Sequence, residues 1–381
     1  MDPVIIVGAG PVGLTLALAL ARQEVPSVVL DEGPGKDEPR LARTAVLHPD
    51  TAALVARLTG TPLDDLGVHW TGWRSMRRKQ VMREVDFEGA GVDSGAGGFG
   101  SEGTGDLEVA GRAPLHLAQH VLTGALRAAL AEERLVKVAT DSRLDSIEQE
   151  PSGVTAHTRG PKGTWWRGSY LIGCDGPRST VRKLQDIRFP GRTAVERHAV
   201  AALRTELPWE GRALLHRMPP WRTSGASAGE VTARPLPDGV WRLDWLLPPG
   251  KDLVTPELLI ARVRETLTGW TGGSAPSYDL LDTGVHTVHH RLARRWRAGR
   301  VLLAGDAAHL LGALGTQGLD EGLRDADNLA WKLALAWHHG PHEALLDSYP
   351  PSGSTRACSP TPACRRAGPP RTSPRSPSRP P

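Results

Sequence analysis

PVIIVGAGPVGLTLALALAR, residues 3–22, decides the fold of this chain. Its first six residues are a β-branched apolar run closing on glycine, and 11–22 are apolar helix formers. Between them lies Gly8-Ala9-Gly10-Pro11-Val12-Gly13, a glycine fingerprint placed where strand gives way to helix. Gly8 permits a tight turn, Gly10 lets backbone approach a pyrophosphate, and Gly13 lets helix and strand pack closely. Residues 27–31 (SVVLD) return to strand character and end on Asp31, 18 residues after Gly13. A carboxylate there can accept hydrogen bonds from ribose hydroxyls, with Glu32 beside it as a second candidate. The stretch predicts a βαβ unit opening a Rossmann-type α/β domain. Alone, it does not separate NAD from FAD.

At 381 residues the chain can bury one large core or two moderate ones. Its net charge of +4 misleads, because six arginines and no acid fall from Pro350 onward. The preceding 349 residues carry 40 basic and 42 acidic side chains, with no basic signature for nucleic acid. Three cysteines, two of them in the tail, suggest neither a disulfide framework nor a metal cage. The apolar run at 4–21 lacks a basic leader and is broken by Gly8, Gly10, Pro11 and Gly13. Neither export nor membrane insertion is expected, and a cytoplasmic location is the default.

Further along, 115–134 predicts a helix, 166–174 a strand, 300–305 (RVLLAG) another buried strand, and 318–339 a long amphipathic helix. The stripe of that last helix is Leu319, Leu323, Ala326, Ala330, Leu333 and Trp337. From about 195 to 250 short alternating strands are separated by proline and glycine turns. Pro237-Asp238-Gly239 is a hairpin signal, after which Trp241, Leu243 and Trp245 share one face. Residues 89–105 form a glycine-rich loop. The last 32 residues, with ten prolines and six serines, cannot bury enough surface to order themselves.

Two later segments favour FAD. Leu171-Ile172-Gly173-Cys174-Asp175-Gly176-Pro177-Arg178-Ser179 and Gly305-Asp306-Ala307-Ala308-His309 resemble the DG and GD motifs of the class A flavoprotein aromatic hydroxylases. That family includes the p-hydroxybenzoate and hydroxyphenylpropionate hydroxylases and those of aromatic polyketide pathways. The likeness runs from residue 3 to about 349. It implies that Asp306 binds the ribityl chain of FAD and that Asp175 lies near the flavin and the pyridine nucleotide. It also implies that Arg43 touches the cofactor near the isoalloxazine and that Gln119 contacts the flavin. Gly315, Gln317, Gly318 and Leu319 match the loop and helix start beneath the flavin pyrimidine, a match that extends to Gly322. Amide N–H groups there can stabilise negative charge.

The resemblance further implies an NAD(P)H-dependent monooxygenase that passes one oxygen of O2 to a phenol-like ring through a C4a-hydroperoxyflavin. The expected fold is a discontinuous FAD-binding domain from about 1–75, 112–190 and 290–349. A mainly antiparallel-sheet substrate domain from 76–111 and 191–289 would cover the ring. This chain departs from the family pattern at Gly312 and Ala313, where prolines are usual, at Thr316, where a glycine is usual, and at Asp320, where an asparagine is common. A carboxylate at 320, if aimed at a reduced flavin, would repel it. After Leu345-Leu346-Asp347-Ser348-Tyr349 the likeness stops.

No acid/base pair stands out as catalytic, and no metal is expected. His286, His289 and His290 lie on a strand-like segment with no partner ligand in view, so a surface or core role is the plainer reading. Trp241 and Trp245 line either an aromatic pocket or a core. Two rivals stand beside the monooxygenase: an FAD-dependent dehydrogenase or reductase, and a shortened flavoprotein with weak cofactor binding. The substrate, the choice between NADH and NADPH, and the oligomeric state are not written in the sequence.

Overall fold

The computed structural model describes residues 1–87, 113–160, 163–221, 229–247, 254–312 and 318–349, without the side chains at 193–196. The glycine-rich stretch at 89–105 and the tail after 349 lie outside that set. The decisive stretch folds as predicted, with strand Val4–Val7, helix Pro11–Ala21 and strand Ser27–Leu30. Val4–Val7 sits inside a six-stranded sheet ordered Arg297–Ala298, Val301–Leu303, Leu171–Gly173, Val4–Val7, Ser27–Leu30, Val136–Ala139. All neighbours run parallel except the first pair. Covered strands of this kind read as unbroken apolar runs, and Val4–Val7 is buried throughout.

Pro11–Ala21 packs against Gln119–Ala131 and Gly318–His339. The long helix has the predicted limits, and Leu323, Ala326, Ala330 and Leu333 of its stripe are buried, while Leu319 and Trp337 are half-buried. Two other expectations need correction. The helix expected over 115–134 begins with a strand, Leu115–Ala118, that pairs with Thr44–Leu47 before the chain turns helical at Gln119. The single strand expected at 166–174 is two, Trp165–Gly168 and Leu171–Gly173, which belong to different sheets. Length and apolarity cannot tell a strand–helix junction from one helix, because pairing with a distant partner decides it.

The second large body is an eight-stranded sheet. Its order is His309–Leu311, Asp279–Leu292, Gly191–Arg204, Val240–Leu247, Glu230–Pro235, Arg212–Arg217, Gly72–Arg77, Gln80–Asp86. Only Arg212–Arg217 and Gly72–Arg77 run parallel. The predicted hairpin joins Glu230–Pro235 to Val240–Leu247, with Asp238 and Gly239 both at positive φ (60° and 67°). Such a primed turn matches the twist of paired strands.

Register fixes what each face of this sheet carries. Trp241, Leu243, Trp245, Ala199, Ala201, Val231 and Ala233 point one way and bury against Leu259, Val263 and Leu267 of helix Pro256–Thr271. That answers the tryptophan question in favour of core packing. Trp245 is 2% exposed, and its indole N–H donates to Thr266 Oγ1 at 3.0 Å. The opposite face carries His198, Arg234, Arg242, Asp244 and His286 and looks toward the small antiparallel sheet that holds Thr44–Leu47 and Leu115–Ala118. It docks there through Ala202 and Leu236 against Leu41, and through Leu215, Trp73 and Val46. A Pro235 carbonyl accepts from His116 Nδ1 at 2.6 Å.

Candidate active site

Gly8, Asp31, Asp175 and Asp306 each follow a parallel strand of the six-stranded sheet, so all four sit at its carboxyl edge. Ligands of such sheets bind at that edge. The three fingerprint glycines behave differently. A Cβ on Gly8, whose φ is 107°, would stand 2.5 Å from the Cys174 carbonyl oxygen, and one on Gly13 would stand 2.0 Å from the Gly8 oxygen. Those two hold turn, helix and neighbouring strand together. Among the described residues, nothing lies within 4 Å of a Cβ on Gly10. Gly10 also begins helix Pro11–Ala21, which no side chain caps and whose first turn holds no acid. Open backbone ahead of an uncapped helix start suits a diphosphate.

Asp31 reaches back to the fingerprint: its Oδ2 accepts from Ala9 N–H at 2.6 Å and its Oδ1 from Gly33 N–H at 2.8 Å. Glu32 is not drawn in. It faces solvent, 3.9 Å from Arg143. Asp175 abuts Gly8, but its Oδ2 accepts from Thr180 and Val181 N–H at 2.6 and 3.0 Å, capping helix Thr180–Leu184. Its Oδ1 is buried with no hydrogen bond among the described residues, and burial lifts the carboxyl above its ordinary value.

The far side of the fingerprint is met by the second acidic turn. Val12 would touch a Cβ on Gly305 at 3.0 Å and one on Gly322 at 2.7 Å, so the Gly305-Asp306 turn and the long helix converge on the first loop. Gly318 starts that helix 3.7 Å (as Cβ) from Asp306 Oδ1, and Leu319 is half-buried next to it. Gly315 and Gln317 lie outside the described residues. Burial pushes Asp306 up against the lowering pull of His309 and Arg43. Arg43 is exposed, and its carbonyl accepts from Gln119 N–H at 2.9 Å, which ties together two residues 76 positions apart.

Two departures from the family pattern find reasons. Gly312 has φ 106° and a Cβ there would fall 2.2 Å from the His290 ring; proline, locked near −65°, cannot adopt that φ. Asp320 is 1% exposed and accepts from His48 N–H at 2.9 Å and Arg324 Nε at 3.1 Å. Its carboxylate is held by those groups.

Three features escaped the sequence. Arg127, on the same helix face as Gln119 and Thr123, donates to the Ala9 carbonyl at 3.2 Å. Its i, i+4, i+8 spacing was a usable signal. Asp325 Oδ2 accepts from Gly305 N–H at 2.9 Å and pairs with His309 Nε2 at 2.7 Å, both side chains at most 2% exposed. The third is the polar sheet face. His286, expected to lack ligand partners, has its ring stacked on His198 at 5.2 Å, and Asp244 completes a group whose polar atoms lie within 4.8 Å of one another. Only cross-strand register brings these together.

A glycine-turned βαβ unit whose carboxyl edge also receives a second acidic turn is the architecture of a dinucleotide-binding flavoprotein. The chain belongs to the FAD binding domain family, whose model matches residues 1–359. It is 33% identical over 356 residues to the 3-(3-hydroxy-phenyl)propionate/3-hydroxycinnamic acid hydroxylase of Paraburkholderia xenovorans (strain LB400), covering 91% of this chain and 52% of that protein. The chain thus spans about half the length of the curated relatives it matches. The p-nitrophenol 4-monooxygenase PnpA of Pseudomonas putida DLL-E4 superposes with TM-score 0.73 at 25% identity, covering 96% and 91% of the two chains. OxyS anhydrotetracycline hydroxylase from Streptomyces rimosus gives TM-score 0.66 at 28% identity, over 91% and 64%. No helix among the described residues is long and apolar enough to cross a membrane.

Proposed function

We propose that the protein is an FAD-dependent, NAD(P)H-consuming monooxygenase that hydroxylates a phenolic or polyketide-like aromatic substrate. The observation that carries this reading is the meeting of the fingerprint loop, the Gly305-Asp306 turn and the start of the long helix around Val12. In it, Gly8, Gly10, Pro11, Val12 and Gly13 shape the diphosphate cradle, Arg127 adds a positive charge beside Ala9, and Asp31 faces the ribose. Asp306 takes the ribityl hydroxyls, which would supply donors to a carboxylate that burial leaves costly to ionise. Arg43, Gln119, Gly318 and Leu319 border the ring. Glu32 takes no part, and Asp175 acts by holding helix Thr180–Leu184 against Gly8.

When bound, FAD supplies the reductive activation of O2 that no side chain can provide. What the chain contributes is a cover. Residues 76–111 and 191–289 form the substrate-binding domain over a cofactor held by 1–75, 112–190 and 290–349, keeping water from the reacting atoms. Proteins it is similar to are named for 3-(3-hydroxy-phenyl)propionate, p-nitrophenol and anhydrotetracycline. The substrate and O2 are the partners, and a cytoplasmic setting supplies the reduced nicotinamide. Protein purified without added cofactor should be yellow. Phenolic compounds should stimulate its NAD(P)H oxidation and carry oxygen-18 from labelled O2. Oxidation that no phenol stimulates, or product without label, favours a reductase instead.

A further inference from the structure

Between Asp31 and Thr44 the chain forms neither helix nor strand, and most of its side chains there are exposed. This connecting segment joins Asp31 to Arg43, two residues given to the cofactor above. A segment without a ladder of its own takes its position from whatever grips it. Here the grip falls on Arg40–Ala42 and comes from strand Asp279–Leu292 of the large sheet. Asp282 Oδ2 accepts from Ala42 N–H at 2.9 Å and from Arg40 Nε at 3.2 Å. Its Oδ1 accepts from Thr283 N–H at 2.8 Å, and the Thr283 carbonyl accepts from Arg40 Nη2 at 3.1 Å. Leu41, between the two gripped residues, is half-buried against Ala202, Leu236 and Val240. A Cβ on Gly284, two residues along the strand, would stand 4.0 Å from the Ala42 Cβ.

The other side of the segment is tied to helix Gln119–Ala131. His120 Nδ1 accepts from Arg40 N–H at 3.3 Å, and the Arg43 carbonyl accepts from Gln119 N–H at 2.9 Å. Arg43 in turn acts electrostatically on Asp306. One carboxylate on the large sheet therefore reaches, through three residues of irregular chain, to the edge of the flavin site. Burial would raise Asp282, but the Ala42 amide and Arg40 outweigh it and hold the carboxyl below its ordinary value. It is ionised at neutral pH, so its contact with Arg40 is a true ion pair.

We propose that Asp282 is a positioning residue of the cofactor site: it clasps the segment carrying Arg43 to the large sheet, and release of FAD waits on the opening of that clasp. The inference rests on the cofactor placement given above and is independent of what the bound flavin oxidises. It gives part of cofactor retention to a strand that carries none of the glycine and aspartate motifs. Leu41 in its apolar seat is the competing anchor; if that seat suffices, the carboxylate is dispensable.

Two readouts test this. In flavin-loaded protein, the recovery of free-flavin fluorescence on dilution gives the rate of FAD release. In flavin-free protein, tryptic cleavage after Arg40 reports the opening of the segment itself. Asp282→Ala should raise both rates about fivefold. Asp282→Asn, which keeps an acceptor for the Ala42 amide, should fall between. Arg40→Gln, at an exposed position, guards against misfolding of the Asp282 variants and should release FAD as Asp282→Asn does. The double variant should release it no faster than either single one, as expected of two partners in one interaction. Raising salt from about 0.05 to about 0.5 M should speed release from the parent but not from Asp282→Asn. A merely structural role would lower stability in urea without that salt dependence or that non-additivity. The idea is overturned if Asp282→Ala changes neither rate, if the single effects add, or if salt acts equally on parent and variant. A protein that takes up no FAD overturns the cofactor placement and the clasp with it, whereas flavin-loaded variants with parental release overturn the clasp alone.

Discussion

At the residue scale the fingerprint glycines separate fold from binding, and substitution should expose the split. Gly13→Ala places a methyl 2.0 Å from the Gly8 oxygen, a backbone atom that cannot swing aside. It should cost about 3 kcal/mol of stability, since overpacking of this kind finds no room to relax. Gly10→Ala meets nothing within 4 Å among the described residues and has φ −77°, which any residue adopts. Its unfolding free energy should stay within about 1 kcal/mol of the parent, while FAD retention on gel filtration falls at least tenfold. Urea unfolding of the flavin-free proteins, beside flavin content after purification, reads both numbers. Equal destabilisation by the two alanines would sink the distinction. The role of Gly13 was legible because it acts on backbone five positions away, whereas the Cys174 carbonyl that crowds Gly8 is distant in the chain. Arg127 was not singled out, because its partner Ala9 is 118 residues distant.

At the scale of elements, the long helix does more than bury a stripe. Its Asp325 holds the Gly305 amide and the His309 ring, so the Gly305-Asp306 turn takes its position from a helix 20 residues later. Trp296 stacks on the same imidazole at 5.2 Å. The periodicity revealed the helix, but not that Asp325 on its buried side would meet Gly305 and His309. Burial alone would depress His309; the hydrogen bond and charge of Asp325, helped by Asp306 and Glu321, outweigh it and raise the imidazole above its ordinary value. A folded value above the unfolded one makes the sign definite. The pair stabilises fully below the unfolded value of about 6.5, and that contribution is lost as pH rises through the folded value. His309→Asn should therefore flatten the alkaline limb of the stability profile between pH 6 and 9. Asp325→Asn should cost about 3 kcal/mol at pH 6, since it leaves a buried imidazole without its counter-charge. A variant profile parallel to the wild type would show that His309 is neutral throughout.

At the scale of the whole molecule, the chain builds two sheet-centred bodies, and how they face one another was the least legible level. The alternation Trp241, Leu243, Trp245 showed that one face is apolar, yet not which neighbour covers it. Helix Pro256–Thr271 does, with Thr255 capping its start and Gly272 its end, signals that were present in the sequence and passed over. Trp245→Ala should accordingly cost about 4 kcal/mol by emptying the core beneath that helix, measured by urea unfolding. A loss below about 1 kcal/mol would place Trp245 outside the core. The other face was unreadable beforehand because its charges come from four strands.

His116 reports on how tightly that polar face is docked. It is 0% exposed between the small sheet and Pro235, and burial, then the charge of Arg234, push it down to about 3. The unfolded chain takes up this proton near pH 6.5 while the folded one refuses it. Stability contributed by the neutral ring is therefore complete above about 6.5 and drains away as pH falls toward 3, at a slope approaching about 1.4 kcal/mol per pH unit. His286, held at about 4, bends the profile the same way, whereas Asp175, Asp306 and Glu321, raised by burial, bend it oppositely. Subtraction removes those shared contributions. His116→Asn, which keeps a donor toward the Pro235 carbonyl, should lose less stability than wild type between pH 6.5 and 5, in urea unfolding at matched ionic strength. If the two profiles run parallel, His116 is protonated in the folded protein and the two sheets meet through water instead of a dry joint.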